Sequence, residues 1–289
     1  MNAVIAGARE RAARDGARAI GVRGGFAGLA ECRAMVIDEP EALAHLYEPG
    51  TWLGTSRWPE LRFARGRDAC LRSLDRLELE GLLVIGGEGS SHGARALARA
   101  LPTAFVPATI DRDVEGTQTT VGSDSAIAYA CDVIDRLCVT GRSLPGRAFV
   151  VQTLGAPTGH LAESVAAAAG IADVLVPERP YDLDAIAGRL AERAPSGGAI
   201  VVISEAVGDA VAIGQALATR SGLRVHPTIL GHAQRAATPS AFDSDLGQAA
   251  GRAALEALVR AESSFVALGT DGTVSPEPLR GIRRPYVVN

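Results

Sequence analysis

The stretch Leu82-Leu83-Val84-Ile85-Gly86-Gly87-Glu88-Gly89-Ser90-Ser91 joins an apolar run to a glycine-rich turn. A second apolar run, residues 103–106, is followed by Pro107-Ala108-Thr109-Ile110-Asp111-Arg112-Asp113. Short runs of this kind, rich in β-branched residues, predict buried strands of a parallel sheet. In such sheets ligands bind where the strands end, so both turns are predicted to lie at a ligand site.

The two turns carry groups suited to phosphoryl transfer. The glycine turn leads into a predicted helix, whose first N–H groups and dipole favour an anion such as phosphate. Glu88, Asp111 and Asp113 are carboxylates in the same turns. A carboxylate beside a phosphate is repulsive unless it holds a divalent cation or accepts a proton from an attacking hydroxyl. The residues therefore favour phosphoryl transfer.

Composition limits the class of protein. A chain of 289 residues can form one large or two modest domains with a substantial core. A net charge of -4, without a basic cluster, argues against nucleic-acid binding. All 29 basic residues are arginine, which excludes a lysine-dependent mechanism.

The sequence also indicates a compartment. The four cysteines lack the spacing of a metal site and are predicted to be buried thiols in a reducing environment. There is no signal peptide, and no apolar run approaches the roughly 20 residues that a membrane span needs. We therefore predict a cytoplasmic protein that does not bind membranes.

The motifs resemble those of the phosphofructokinases. Gly86-Gly87-Glu88-Gly89-Ser90 is similar to the GGDGS loop of that family, and residues 107–113 resemble its P-x-TIDND loop. Further similar motifs follow in the family's order at residues 53–57, 149–155, 201–205 and 228–235. The resemblance covers nearly the whole chain. It implies ATP-dependent, Mg²⁺-requiring phosphoryl transfer to a sugar phosphate, with conversion of fructose 6-phosphate to fructose 1,6-bisphosphate in glycolysis as the default.

The resemblance also implies a role for each matching residue. Asp111 would be the general base, and Arg57 would reach the transferring phosphate. Glu88 would hold Mg²⁺. Gly86, Gly87, Gly89 and Ser90 would bind ATP, and the small residues Gly89 and Ala108 match the ATP users of the family rather than the pyrophosphate users. The expected contacts of the sugar phosphate are Thr109, Asp113, Arg147, Gly155, Glu205, His226, His232 and Arg235.

Several residues depart from the family pattern. Glu88 stands where an aspartate is usual, and Arg112 replaces an asparagine beside the expected base. Ala156 and His226 stand where arginines are expected. These departures leave two alternatives open: a kinase of the same mechanism with another sugar or sugar-like acceptor, or a catalytically impaired regulatory paralogue.

The resemblance implies an α/β fold with two Rossmann-like parallel-sheet domains of the phosphofructokinase type. The predicted nucleotide-binding domain comprises residues 1–140 and 236–280, and the sugar-phosphate domain comprises residues 141–235 and 281–289. Met1-Asn2-Ala3 resembles the end of the family's opening GGDxPG loop. We therefore expect the opening strand to be missing, through either a misassigned start or a true truncation. A homotetramer, or at least a homodimer, is implied, in which Arg147 serves a neighbour's site.

Overall fold

The computed structural model describes residues 1–279. Within them the helices and strands follow one another in this order: α1 (Asn2–Arg14), β1 (Ile20–Val22), α2 (Gly25–Ala30), β2 (Ala34–Val36), α3 (Glu39–Ala44), α4 (Ala64–Arg76), β3 (Leu82–Gly86), α5 (Glu88–Leu97), β4 (Thr103–Pro107), α6 (Ser123–Ser143), β5 (Arg147–Thr153), α7 (His160–Ala168), β6 (Val174–Leu175), α8 (Leu183–Arg193), β7 (Ile200–Ser204), α9 (Ala210–Ser221), β8 (Arg224–Ile229), α10 (Ala241–Val259), β9 (Ser264–Leu268) and β10 (Val274–Pro278). Short 3₁₀ helices occupy Pro59–Arg62, Ala194–Ser196, Glu205–Val207 and Gly231–Ala236.

The chain folds into two compact units. Unit 1 comprises Met1–Thr109, Val114–Gly122 and, within the described residues, 241–279. Unit 2 comprises Ile110–Asp113 and Ser123–Ser240. The domain boundaries predicted from the sequence, at residues 140 and 236, stay a prediction, and residues 281–289 of that prediction lie outside the described residues.

Unit 1 contains two sheets. Its four-stranded sheet has the order β10-β9-β4-β3, with β3, β4 and β9 parallel and β10 antiparallel. β1 and β2 form a separate antiparallel pair. All five residues of β4 are buried, as expected for a strand that has a neighbour on each side. The alanine- and glycine-rich face of α10 packs on this sheet together with Val4 of α1.

Unit 2 is built on a single parallel sheet with the order β6-β7-β5-β8. α6 and α7 cover one face of the sheet, and α8 and α9 cover the other. β7, Ile-Val-Val-Ile-Ser, is buried throughout because it has helices on both faces. Asp182 and Asp209 begin α8 and α9, since each carboxylate accepts hydrogen bonds from N–H groups of the first turn. The predicted α/β fold is confirmed.

Two local structures depend on close backbone contacts at glycine. The first is the end of α6, which continues past residue 140, the predicted domain boundary, to Ser143. No proline interrupts the helix before Pro145, and Gly141 lets it pack against the backbone of Gly197. The second is α2, Gly25–Ala30, which comes directly after the turn at Arg23 and Gly24. A Cβ at Gly28 would overlap the carbonyl oxygen of Arg23, so only glycine allows this turn to close.

The cysteines were predicted to be buried thiols, which holds fully for one of the four. All four cysteines are free, and Cys70 is fully buried, whereas the other three are half-buried. Burial raises the pKa of the Cys70 thiol to about 11 and also raises the pKa values of Cys131 and Cys138. No helix within residues 1–279 has both the length and the apolar character needed to cross a membrane.

Candidate active site

The glycine turn of unit 1 follows β3, beside the end of the parallel strand β4. Gly86 pairs in register with Pro107, and its carbonyl accepts a 2.9 Å hydrogen bond from the Ala108 N–H. A Cβ at Gly86 would lie 2.4 Å from the Ser90 hydroxyl oxygen, so a larger residue would displace Ser90. A Cβ at Gly87 would contact the Thr109 side chain at 3.4 Å. The turn and Thr109 are therefore adjacent, as the sequence predicted for two strand ends.

The turn leads directly into α5, which begins at Glu88. The N–H groups of Ser90 and Ser91 both donate to the Gly87 carbonyl, at 3.0 and 3.1 Å. The N–H groups of Glu88 and Gly89 come before these first bonds of the helix, so they are placed to bind an anion. Among residues 1–279, nothing beyond its chain neighbours and the backbone of its own helix lies within 4 Å of a Cβ built at Gly89, which leaves space for such an anion.

Glu88 presents its carboxylate at the start of this helix. The side chain is 57% exposed, and one carboxylate oxygen lies 3.9 Å from His92 Nε2. Residues 1–279 contain no cluster of three or more His, Cys, Asp or Glu side chains that could hold a metal ion alone. Mg²⁺ is usually held by one or two carboxylates together with substrate phosphates and water. A single exposed carboxylate beside an anion site fits that mode of binding.

The segments that precede and follow residues 110–113 are hydrogen-bonded within unit 1. Thr120 Oγ1 donates to the Thr109 carbonyl at 2.6 Å, and the Val121 N–H donates to the Pro107 carbonyl at 3.1 Å. Asp243 of α10 accepts a 2.8 Å bond from the Gly122 N–H. These bonds fix the chain on both sides of residues 110–113, which belong to unit 2.

The Asp111 loop is anchored within unit 2 by its neighbours. Ile110 packs against the core cluster that α6 and α7 form. Arg112 adopts a left-handed backbone conformation, φ 53°, and its Nη1 donates to Ser164 Oγ of α7 at 2.8 Å. Arg112, which replaces the family's asparagine, thus ties the loop to α7.

Asp111 and Arg235 come together in unit 2. Asp111 Oδ2 lies 3.5 Å from Arg235 Nη2, and the two side chains are 15% and 47% exposed. Arg235 lies in the 3₁₀ helix Gly231–Ala236, as does His232, which is exposed. The expected base and one expected ligand of the sugar phosphate are therefore neighbours.

Gln234 is a residue that the sequence analysis missed. Its side chain is fully buried, its Oε1 accepts from the Leu154 N–H at 2.9 Å, and its Nε2 donates to the Ala126 carbonyl at 3.4 Å. These bonds fix the 3₁₀ helix between His232 and Arg235 to the end of β5 and to α6. The only indication in the sequence was that this polar residue stands between two residues expected to bind the sugar phosphate, His232 and Arg235.

Glu205 and Gly155 also come together. Glu205 Oε1 accepts from the N–H groups of Gly155 and Ala156, at 3.0 and 3.1 Å. Gly155 has φ 120°, a conformation that favours glycine. Glu205 therefore holds the turn after β5 in place.

Three further residues of unit 2 were expected at the site: Arg147, His226 and Asp113. Arg147 is the first residue of β5, so roughly 20 Å of strand separates it from the turn at Gly155. His226 is exposed in the middle of β8, with its ring centroid 6.0 Å from that of Phe149. Asp113 is half-buried at the end of the Asp111 loop. In unit 1, Arg57 is exposed on the loop before Pro59–Arg62.

Comparison with known proteins gave consistent matches. The family model "Phosphofructokinase" matches residues 1–258. The ATP-dependent 6-phosphofructokinase of Bacillus pumilus is 34% identical over 262 residues, which are 90% of this chain and 82% of the relative. The enzyme of the same name from Thermotoga neapolitana is 34% identical, covering 92% of this chain and 84% of the relative.

A solved structure, the phosphofructokinase of Pichia pastoris in the T-state, superimposes with a TM-score of 0.87. It is 24% identical and covers 96% of this chain, which spans only 35% of the length of that larger chain. At this identity the similarity supports the fold.

Proposed function

Because this chain belongs to the phosphofructokinase family, we propose that it transfers the γ-phosphoryl group of ATP to fructose 6-phosphate, giving fructose 1,6-bisphosphate and ADP. The curated relatives at 34% identity are named for this ATP-dependent reaction. The observation that carries the proposal is the Asp111 carboxylate, which lies in the loop after β4 and 3.5 Å from the cationic Arg235.

Asp111 acts as the general base in this proposal. It accepts the proton of the sugar hydroxyl while that oxygen bonds to the γ-phosphorus, and the bond from the γ-phosphorus to the bridging oxygen breaks as ADP leaves. The loop that carries Asp111 is fixed by Ile110 in the core and by the bond from Arg112 to Ser164. A base on a fixed loop is positioned before the acceptor arrives.

The start of α5 binds the nucleotide phosphates. The Glu88 and Gly89 N–H groups donate to phosphate oxygens, and the open space beside Gly89 accommodates them. Glu88 would hold Mg²⁺, which would supply neutralisation of the negative charge on the phosphates. Arg57 adds positive charge to the transferring phosphoryl group.

The phosphate of the acceptor needs cationic donors at fixed positions. We assign this role to Arg235 and His232, which the buried Gln234 holds in place, and Glu205 shapes the turn beside them. Arg147 lies at the other end of β5 and is assigned to the site of a neighbouring copy, together with His226. The proposed assembly is therefore a homotetramer or homodimer, and the proposed location is the cytoplasm.

One observation favours a second candidate function, a kinase for a different sugar or sugar-like acceptor. In the turn after β5, Ala156 provides no charge, and Glu205 is engaged by the backbone N–H groups of that turn. Because an arginine is expected at the position of Ala156, the acceptor would have one cationic donor fewer than in the family pattern, which would change which phosphorylated sugar is bound best.

The test is an ADP-release assay with Mg·ATP, run first with fructose 6-phosphate and then with a panel of other sugar phosphates and unphosphorylated sugars. Formation of fructose 1,6-bisphosphate, identified by mass and abolished in Asp111→Asn, supports the first proposal. Preference for another acceptor supports the second. ATP binding without turnover on any acceptor contradicts both.

A further inference from the structure

Glu88 and His92 of α5 form a pair of metal-ligating side chains at the edge of the proposed nucleotide site. Residues four apart lie on the same face of an α-helix, one turn from each other. Glu88 Oε1 lies 3.9 Å from His92 Nε2, and the two side chains are 57% and 28% exposed. In the proposed phosphoryl transfer Glu88 is the ligand of Mg²⁺, whereas His92 has no role.

The spacing of the two residues suits a shared metal ion. Zinc-binding helices commonly present two ligands at positions i and i+4, which hold one ion from the same face. Two neighbouring ligand atoms of an octahedral ion, each about 2.1 Å from it, lie roughly 3 Å apart. The 3.9 Å between Glu88 and His92 is slightly longer, and a rotation of the exposed Glu88 side chain can close this gap.

The length of the Glu88 side chain also favours a shared ion. An aspartate is usual at this position in the family, and its carboxylate is one methylene closer to the backbone. The Cα–Cβ bonds of a helix tilt toward its N-terminus, so a side chain in the first turn must extend along the helix to approach a residue one turn later. Glutamate reaches the ring of His92, whereas the oxygens of an aspartate would lie farther from it.

The backbone that carries both side chains is fixed. Ser91 Oγ donates to the Glu88 carbonyl at 2.7 Å. Beside His92, a Cβ built at Gly93 would lie 2.5 Å from ring atoms of Phe26, so α5 packs closely against α2 at this point. Ligands on a fixed helix lose less conformational freedom when an ion binds.

We propose that Glu88 and His92 together bind a divalent first-row transition-metal ion, which the site holds more tightly than Mg²⁺. Within the described chain no third His, Cys, Asp or Glu side chain completes a metal cluster, so phosphate oxygens of the nucleotide and water would fill the other positions. Mg²⁺ prefers oxygen ligands, whereas imidazole suits transition metals. This inference rests on the proposed nucleotide site and names the metal class that the site favours.

The experiment uses Co²⁺ as the transition-metal probe. The whole protein is titrated with Co²⁺ and, separately, with Mg²⁺ by calorimetry, with and without ADP. His92→Gln should raise the Kd for Co²⁺ by about tenfold or more and change the Kd for Mg²⁺ by less than about twofold. Proton NMR of the Co²⁺-loaded protein should show a hyperfine-shifted imidazole N–H signal that His92→Gln removes.

His45→Gln is the matched control. His45 Nδ1 also contacts a glutamate, Glu48, at 2.6 Å, but this pair follows α3 rather than a glycine turn. The control should keep the parental Kd for both ions and the shifted NMR signal. Glu88→Asp should lower the preference for Co²⁺ over Mg²⁺ without lowering the Tm, because the side chain is exposed. That variant decides the question if His92→Gln does not fold.

Three outcomes would overturn the proposal: no Co²⁺ binding by the parent chain, equal effects of His92→Gln on both ions, or a shifted imidazole signal that survives this substitution. None of these measurements requires turnover. An inactive chain that shows the His92 signal would still support the metal pair, although the kinase proposal would fail. An active chain without that signal would overturn the metal preference alone.

Discussion

Arg235 Nη2 lies 3.5 Å from Asp111 Oδ2, so the proposed base is paired with a residue proposed to bind the acceptor's phosphate. Arg235 is 47% exposed, and its 3.5 Å separation from Asp111 is longer than the roughly 2.7–2.9 Å of a charge-assisted hydrogen bond, so the two side chains are not held tightly together. A phosphate dianion can therefore draw Arg235 away from Asp111 at little cost. Binding of the acceptor would then release the base where it is needed.

Replacing Arg235 should affect acceptor binding more than the chemical step. Loss of a charge-assisted hydrogen bond in Arg235→Ala should raise the KM for fructose 6-phosphate by roughly 10- to 100-fold. Steady-state kinetics with varied acceptor at saturating Mg·ATP measure this. Arg136→Ala, which removes an exposed arginine from α6, is the matched control. An unchanged KM would remove Arg235 from the phosphate site.

Asp111→Asn should abolish turnover without disturbing the nucleotide. An amide cannot accept the hydroxyl proton, so kcat should fall by about 10³-fold, within the usual range for general-base catalysis. The Kd for ATP and the Tm should stay close to those of the parent. Asp132→Asn removes an exposed carboxylate of α6 and should leave kcat unchanged. Near-parental turnover in Asp111→Asn would contradict the mechanism.

Gly89→Asp should weaken nucleotide binding without destabilising the fold. Space is free around a Cβ at this position, and an aspartate in the first turn favours the helix dipole, so the Tm should be unchanged or higher. The new carboxylate would repel nucleotide phosphates, so the KM for ATP should rise by at least about tenfold. Gly89→Ala fills similar space without charge and should keep the parental KM. Equal ATP kinetics in both variants would show that the start of α5 does not face the phosphates.

Glu205 should stabilise the folded protein because it fixes the turn after β5. Glu205→Ala leaves the N–H groups of Gly155 and Ala156 without their acceptor and should lower the free energy of unfolding by about 1–3 kcal/mol. Glu205→Gln retains a carbonyl oxygen and should lose less. Urea unfolding at neutral pH compares the two variants. Equal losses in the two variants would show that the negative charge, which both remove, matters more to the turn than the hydrogen-bonding oxygen, which only glutamine retains.

The stability of the present chain should rise between pH 6 and pH 8. Burial lowers the pKa of the Met1 amine from 8.0 to about 6, so in this window the unfolded chain binds a proton that the folded chain does not. Raising the pH therefore favours the folded state, by about 2 kcal/mol in total. Urea unfolding at several pH values measures the slope. Acetylation of the amine should remove this rise, and a rise that survives acetylation must have another source.

The sequence predicted the positions of those site residues that lie at the ends of predicted strands. The glycine turn and Thr109 become neighbours because Gly86 and Pro107 are in register on adjacent parallel strands, and parallel pairing is readable from two apolar runs. Asp111 and Arg235 could be associated only through the resemblance, since more than a hundred residues of chain separate them.

The features that the sequence did not predict depend on packing. Gln234 looks like a surface residue between two ligands, and only the fold shows its amide bonded to Leu154 and Ala126. Contact between Glu205 and the acceptor stays a prediction, but the sequence did not indicate that Glu205 Oε1 accepts hydrogen bonds from a turn 50 residues earlier. The length of α6 depended on contact between Gly141 and Gly197, which no local pattern indicates.

The buried amide of Gln234 also bears on how this protein could evolve. Since that one side chain fixes the 3₁₀ helix, the exposed positions on either side of it can be substituted without moving the helix. Acceptor preference can then change through single substitutions at His232 or Arg235 while the stability of unit 2 is retained. Because Gln234 stays constant while its exposed neighbours vary, descendants of one enzyme can acquire new substrates gradually. Each intermediate still folds.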